Sequence, residues 1–295
     1  MGATAMVRGR PPEAWWSAVS DFLSEFRLAA LGLVILTALV LISALGELIA
    51  PYDPLAGVAA DRLLPPSPAH WLGTDEFGRD VLSRIIVGGR NSFIVSVSAV
   101  VLGSVVGTAI GVVSGYRGGT FDMIAQRFID MMMALPLMVL ALVLMAALGS
   151  SLTSVVIAIA IGIAPRTARL ARGGTLSVRQ NAYVEAAVTI GVPASGILAQ
   201  HVLPNIMASL ITFSTAQVGV AIMLESALSF LGVGVPPESP SWGRMLTGAA
   251  RFVNAAPWLA TVPGVMLCLA VMSINLVRDA LRDLTDPTLL RSERR

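Results

Sequence analysis

The segment Tyr183-Val184-Glu185-Ala186-Ala187-Val188-Thr189-Ile190-Gly191 lies in a polar interlude that begins near Arg172 and separates two long apolar runs. Its Glu-Ala-Ala triplet favours a helix, and Gly191 suits the left-handed conformation that often ends one. Pro193 cannot continue that helix, so the chain must turn there. We therefore predict a helix, a turn and the start of a second helix, all outside the membrane.

The composition indicates a polytopic membrane protein in contact with a lipid bilayer. Of the 295 residues, 55% are hydrophobic and only 13% are charged, and the mean hydropathy is +0.78. Soluble domains carry about 25% charged residues, roughly twice this share. The expected fold class is therefore an all-α membrane protein.

Six apolar runs are candidate transmembrane helices, since about 20 residues cross a bilayer as a helix. The fourth run is the shortest, because its apolar stretch ends at Pro165. The six predicted spans cover residues 28–50, 92–115, 128–149, 152–170, 207–232 and 257–277.

Two amphipathic helices are predicted outside these spans. Residues 13–27 place apolar side chains at helical spacing, which is typical of a helix at the membrane interface. The second helix would begin at Thr74 as its N-cap, with Asp75 and Glu76 in its first turn.

The distribution of arginines predicts the orientation. All 20 basic residues are arginines. With the N-terminus inside, segments 51–91 and 233–256 lie outside and hold six of them, which leaves 14 on the inner side or at inner helix ends. Such a bias marks the cytoplasmic side. Both termini and residues 172–205 are therefore expected in the cytoplasm.

Several kinds of site are disfavoured by the residues that are present. A P-loop needs a lysine to reach the phosphates, and the chain has none. His70 and His201, the only histidines, lie outside the predicted spans and far from Cys268, so we expect no metal site and no catalytic residues. An intramembrane hydrolase is disfavoured for the same reason.

Three polar residues lie within predicted spans and have two interpretations each. Glu225 is the one acidic residue deep in a span, where a carboxylate is costly and points by default to function. It can line a pathway and contact a cationic group, or form hydrogen bonds that join helices. Gln217 and Asn275 carry the same alternatives.

These residues resemble two signatures of ABC-importer permeases. One is the EAA loop, matched by Glu185, Ala186, Ala187, Gly191, Ile197, Leu203 and Pro204, with Tyr183 just ahead of it. The other is the Leu-Gly-Thr-Asp-x-x-Gly-Arg-Asp signature of C-type subunits of the dipeptide, oligopeptide and nickel family, matched at residues 72–80. The resemblance covers about residues 28–287, and Val188 departs from it where arginine is frequent.

The resemblance implies a six-helix type I importer permease that forms half of a pore in the bacterial plasma (inner) membrane. Its EAA loop, within residues 172–205, would dock on an ATPase subunit. The implied partners are a homologous B-type permease subunit, two ABC ATPase subunits that bind ATP and Mg²⁺, and an extracytoplasmic substrate-binding protein, but no nucleic acid. Peptides, nickel chelates or glutathione would be the solutes.

The resulting division of the chain has four parts. A cytoplasmic segment covers residues 1–27, the first span with its outer loop covers 28–91, a five-span core covers 92–278, and a cytoplasmic tail covers 279–295. The alternative function is an ion-coupled secondary transporter. That mechanism needs paired intramembrane ionisable residues or broken-helix sites, and Glu225 is the only candidate for such a residue in the sequence.

Overall fold

The structure, a computed structural model, describes residues 27–285. Within this range the regular structure is helical, apart from one isolated bridge between Thr74 and Asp80. The interfacial helix predicted for residues 13–27 lies outside the described range except for Arg27, which begins the first helix.

Most of the described α-helices follow one another with short connections, and the long exception is the segment of residues 50–80 between the second and third. In chain order they are α1 Arg27–Ala44, α2 Gly46–Ile49, α3 Val81–Arg117, α4 Gly119–Ala134, α5 Leu137–Leu148, α6 Leu152–Arg179, α7 Ala182–Thr189, α8 Ala194–Ile197, α9 Leu203–Phe230, α10 Trp242–Leu246 and α11 Trp258–Thr285. Two 3-10 turns, Ala59–Asp61 and Ala249–Arg251, and one π-helical turn, Leu198–Val202, complete the regular structure.

The number of spans agrees with the sequence prediction. Within residues 27–285 five helical segments are long and apolar enough to cross a bilayer, and the bent pair α4–α5 makes a sixth if counted as one span. The five segments are Arg27–Ala44, Val81–Arg117, Leu152–Arg179, Ala194–Phe230 and Trp258–Asp283. The all-helical, six-span architecture is therefore confirmed.

The two prolines inside the third and fourth spans behave differently. The third predicted span is broken at Leu135 and Pro136, and the axes of α4 and α5 differ by 94°. Proline disfavours the helical conformation for the residue before it, and Leu135 is extended (φ −87°, ψ 136°). Pro165, by contrast, lies inside the unbroken α6, which extends the fourth span to Arg179.

The helix predicted to start at Thr74 begins instead at Val81. Asp80 is its N-cap, because its Oδ2 accepts hydrogen bonds from the backbone nitrogen of Ser83 (2.8 Å) and from its hydroxyl (2.7 Å). The Thr74 hydroxyl is engaged elsewhere, accepting from the Leu64 nitrogen (2.8 Å) and donating to the Asp61 carbonyl. The predicted surface helix is thus the first part of the long α3.

The helices also differ from the predicted bounds at the inner ends. Residues 172–179, expected in the polar loop, continue α6, and α9 begins at Leu203 rather than 207. The last helix continues to Thr285, beyond the predicted exit at 277. Polar residues can extend a helix past the bilayer because water then satisfies their side chains.

The signature of residues 72–80 forms a cap over the ends of the helices at which α3 and α11 begin. The Asp75 carboxylate accepts from the Arg79 side chain (2.7 Å) and lies 3.5 Å from the Arg84 side chain. The Trp258 indole at the start of α11 donates to the Thr74 carbonyl (3.2 Å). These contacts join residues 72–80 to the first turns of α3 and α11.

Helices α3 and α6 pack with their backbones in contact. Gly103, Gly107, Gly111 and Gly115 recur every fourth residue on one face of α3. A Cβ at Gly103 would lie 2.7 Å from the Ala160 carbonyl oxygen, and those at Gly107 and Gly111 would meet the Ala164 and Ala168 carbonyls even more closely. Only glycine allows this approach, which is the small-residue packing typical of membrane helices.

We expect Gly111→Ala to destabilise the protein by about 1–3 kcal/mol, because the added methyl group meets the α6 backbone and forces the helices apart. Gly173→Ala is the matched control. It adds the same methyl group in a helix, and its Cβ would have no neighbour within 4 Å. Thermal unfolding of the purified complex in detergent distinguishes them, and equal midpoints for both variants would contradict the backbone contact.

Candidate functional site

Helix α7 forms a shelf at the end of the bundle where α3 and α6 end and α9 begins, with one buried and one exposed face. Val184 and Ala187 are buried, whereas Tyr183, Glu185 and Ala186 are exposed. Among the described residues, no side-chain hydrogen bond or ion pair engages the Glu185 carboxylate. We use the name shelf for residues 182–192 below.

The exposed face of the shelf is partly apolar. Val188 is exposed, and Ile190 is 81% exposed, although both lie outside the predicted membrane spans. The Ala186 methyl group is exposed between them and Tyr183. An exposed apolar patch with a free carboxylate beside it is typical of a surface that meets another protein.

Gly191 ends the shelf helix in the predicted left-handed conformation, with φ +82°. The Gly191 nitrogen donates to the Val188 carbonyl (3.0 Å), and the Val192 nitrogen donates to the Ala187 carbonyl (3.1 Å). These two bonds are the Schellman arrangement, which satisfies carbonyls that a helix end leaves free. A Cβ at Gly191 would have no neighbour within 4 Å, so only the backbone conformation restricts this position.

The buried face of the shelf is continuous with the membrane helices. Val184 and Ala187 join a hydrophobic cluster whose other buried members come from α3, α6, α8, the π-helical turn and α9: Val112, Ala171, Val178, Ile197, Val202, Ile206 and Leu210. Leu203 is partly buried beside this cluster, and Pro204 is exposed in the first turn of α9. Among the predicted coupling residues, Ala187 and Ile197 therefore support the shelf from beneath.

Glu225 is completely buried at the centre of a hydroxyl cluster. Its Oε1 accepts hydrogen bonds from Ser229 (2.8 Å) and Ser241 (3.0 Å), and its Oε2 accepts from Ser226 (3.3 Å) and Ser92 (3.4 Å). Among the described residues it pairs with no basic side chain. The four serines come from α3, from α9 and from the N-cap of α10.

Three of these serine hydroxyls, which donate to the carboxylate, also accept hydrogen bonds from backbone nitrogens. Ser229 accepts from the Val235 nitrogen (3.1 Å), Ser241 from the Arg244 nitrogen (3.2 Å) and Ser92 from the Trp242 nitrogen (3.3 Å). Glu225 thereby joins α3 and α9 to the outer segment that follows α9. This geometry favours the helix-joining interpretation of Glu225 over the pathway interpretation.

Gln217 and Asn275 were the other predicted pathway residues. Gln217 is buried on α9 and Asn275 is half-buried on α11. Their contact with a solute stays a prediction.

An open groove of about 860 Å³, which the sequence reasoning missed, lies between α1, α3, α9 and α11. Its walls are apolar except for four hydroxyl residues: Ser104, Thr108, Ser214 and Thr215. The hydroxyls of Ser104 and Ser214 are 2.9 Å apart and join α3 to α9. The spacing of Ser104 and Thr108, four residues apart on one helix face, was the available signal.

The fold and the shelf define a multi-pass helical permease, and comparison with known proteins agrees. Residues 107–291 match the family described as binding-protein-dependent transport system inner membrane component. Residues 15–66 match the N-terminal transmembrane domain of oligopeptide transport permease C. The chain belongs to this family, the permease subunits of ABC importers.

Similar proteins cover almost the whole chain. A dipeptide transport system permease protein of Alkalihalophilus pseudofirmus is 38% identical over 95% of this chain and 94% of its own length. A glutathione transport system permease protein of Pectobacterium atrosepticum is 39% identical, covering 91% and 89%. A probable D,D-dipeptide transport system permease protein of Escherichia coli K12 is 39% identical, covering 86% and 85%.

A solved structure supports the fold. A chain of the MetNI methionine ABC transporter, in an inward-facing conformation, superposes with a TM-score of 0.58 at 15% identity, covering 69% of this chain and 97% of that one. This similarity concerns the fold alone. The family match over residues 107–291 and the relatives at 38–39% identity show that the chain is an ABC importer permease, so the alternative of an ion-coupled secondary transporter is wrong.

We expect Glu225→Gln to assemble normally and to reduce transport only modestly, because an amide still accepts from some of the serines. Glu225→Leu should lower stability by several kcal/mol, since buried hydroxyls left without an acceptor cost about 1–3 kcal/mol each. Ser226→Ala is the control, because that serine has no relay to a backbone nitrogen. Complex yield and unfolding midpoint are the measurements.

A different pattern would revive the pathway interpretation of Glu225. If Glu225→Gln assembled at normal levels but lost uptake of cationic solutes alone, the carboxylate would act on the solute rather than on the helices.

Proposed function

We propose that this chain forms half of a translocation pathway for a peptide or a related small solute, and that ATP hydrolysis in partner subunits drives it through the shelf. The observation that carries the proposal is the shelf itself. An exposed, partly apolar face with a free carboxylate stands on a buried face that is continuous with three membrane helices. A partner that binds the exposed face can therefore move the membrane helices through the buried face of the shelf.

The connection between the shelf and the spans gives the proposed mechanism. Val184 and Ala187 contact the cluster that includes Val112 of α3 and Ile206 of α9. Because packed interiors are nearly incompressible, displacement of the shelf moves these helix ends with it. The two ATPase subunits would hold ATP and Mg²⁺. When they close, they would move the shelf and the attached helix ends, and this movement would change the side of the membrane from which the solute can enter the pathway.

The proposed orientation places the shelf and both termini in the cytoplasm of a bacterium, with the spans in its plasma (inner) membrane. The arginine asymmetry supports it. Two of the fourteen arginines counted on the inner side lie at this end of the bundle: Arg117 ends α3, and Arg179 ends α6 and donates to the Tyr116 carbonyl (3.0 Å). The cap formed by residues 72–80 then faces an extracytoplasmic binding protein.

The solute class is inferred from the similar permeases. Their names specify dipeptides, a D,D-dipeptide and glutathione, all of which are short peptides. A short peptide fits the proposed role better than the nickel chelate that we also considered. A homologous B-type permease subunit would form the other half of the pathway.

We expect Gly191→Val and Glu185→Ala to abolish ATP-driven uptake while membrane insertion and pairing with the second permease stay normal. Valine at a positive φ costs about 1–3 kcal/mol and distorts the end of the shelf. Loss of a buried interfacial charge contact costs roughly 2–5 kcal/mol of association. The measurements are peptide uptake and ATPase co-purification.

Gly149→Val is the matched control. Gly149 also has a positive φ (+77°) and no neighbour within 4 Å of a Cβ, but it lies between α5 and α6 at the end of α6 farthest from the shelf. The same backbone strain should there leave coupling intact. Near-normal uptake by both shelf variants, or equal loss in Gly149→Val, would contradict the proposal.

A further inference from the structure

Arg166 stands apart from the other arginines of α6. Arg169 pairs with Asp130, and both oxygens of Asp122 accept from Arg172 (2.6 Å each). Arg166 is exposed, and it forms no hydrogen bond or ion pair with any described residue. One turn of the same helix thus holds an unpaired cation while the next two turns hold paired ones.

The register of α3 against α6 gives the depth of Arg166. A Cβ at Gly107 would meet Ala164 and Thr167, so Arg166 lies level with this turn of α3. From there towards the shelf, the next charged residue of α3 is Arg117, about 15 Å further along the helix at 1.5 Å per residue. Arg166 therefore lies one helical turn farther from the shelf than the Arg169–Asp130 pair, directly after the apolar run of α6 that ends at Pro165.

A charged side chain beside the apolar part of a span is costly unless water or a partner solvates it, and such a residue is a candidate for a functional role. The long side chain of arginine can also reach the interface by extending along the helix, so depth alone does not establish a role. The surroundings of Arg166 provide the second observation.

Arg166 lines a small cavity, of about 40 Å³, beside the break in the third span. Leu135 at the break, Met133 before it and Leu137 after it line the same cavity, as do Gly162 and Pro165 of α6. Leu135 and Pro136 are exposed. Irregular backbone at membrane depth is tolerated only where protein buries it or where it lines water. If this cavity opens to water, water can hydrogen-bond to the exposed backbone at the break and can also solvate the unpaired arginine.

We propose that Arg166 is a cationic contact in the inner half of the translocation pathway and that it takes the carboxylate of the passing solute. The inference rests on the proposed permease function and narrows its solute to carboxylate-bearing molecules, of which a peptide C-terminus is one. A guanidinium holds a carboxylate through two parallel hydrogen bonds. Exposure to water keeps the contact weak, so the solute can leave again.

The experiment uses a single cysteine at Met133 in a Cys268→Ser background, in inside-out vesicles that hold the full transport complex. Two methanethiosulfonate reagents of similar size report on the cavity, one anionic (sulfonatoethyl) and one cationic (trimethylammonioethyl). We expect both to react, and the anionic-to-cationic rate ratio to fall on the order of tenfold in Arg166→Gln, because loss of one charge acts oppositely on the two reagents.

Arg166→Lys and Arg127→Gln are the controls. Lysine keeps the charge and should keep most of the ratio. Arg127 is a second exposed arginine without a described partner, but it does not line the cavity, so its removal should leave the ratio nearly unchanged. If Met133→Cys does not assemble, Leu140→Cys, which lines the same cavity, replaces it.

Two results would overturn the proposal. An unchanged ratio in Arg166→Gln would mean that the arginine extends away to the interface. No reaction at the reporter, under conditions that label an exposed Ser177→Cys, would mean that the cavity is closed to water. ATPase activity measured in the same vesicles separates either result from a failure of the proposed permease function, which would appear as absence of the ATPase subunits.

Discussion

The close contact between α3 and α6 is the constraint on which the rest of the structure depends. Four glycines in steps of four residues let the α3 backbone touch the carbonyls of Ala160, Ala164 and Ala168. Two helices held this closely behave as one rigid body. Helix α4, which precedes the break in the third span, is attached to α6 through Asp122 and Arg172. The shelf packs on the same end of the α3–α6 pair through Val112 and Ala171.

At the end of the bundle opposite the shelf, hydrogen bonds converge on a few buried carboxylates. Asp80 caps α3, and its Oδ1 lies 2.9 Å from the Nδ1 of the His70 ring. The Asp75 carboxylate lies beside the guanidinium groups of both Arg79 and Arg84. Glu225 gathers serines from α3, α9 and the segment after α9. The strings that resemble importer permeases thus form, at this end, a network of hydrogen bonds that joins the helices.

The sequence predicted the features that depend on local chemistry. The lengths of the apolar runs predicted six spans. The glycine at the end of the Glu-Ala-Ala helix predicted the left-handed conformation of Gly191. The sequence did not distinguish Pro136, which breaks a span, from Pro165, which does not, since both lie inside predicted spans. It also missed the glycine face of α3, whose meaning depends on which helix lies opposite. The pairing of Asp122 with Arg172, and hence the isolation of Arg166, likewise required the three-dimensional arrangement.

The central claim is that the exposed face of the shelf contacts an ATPase subunit. A photoactivatable amino acid at Ile190, which is 81% exposed, tests it most directly in the intact complex. Irradiation should give an adduct between this chain and the ATPase, and the same amino acid at the equally exposed Leu48, at the other end of the bundle, should give none (83% exposed). Absence of an ATPase adduct from Ile190, with the complex assembled and transporting, would contradict the account.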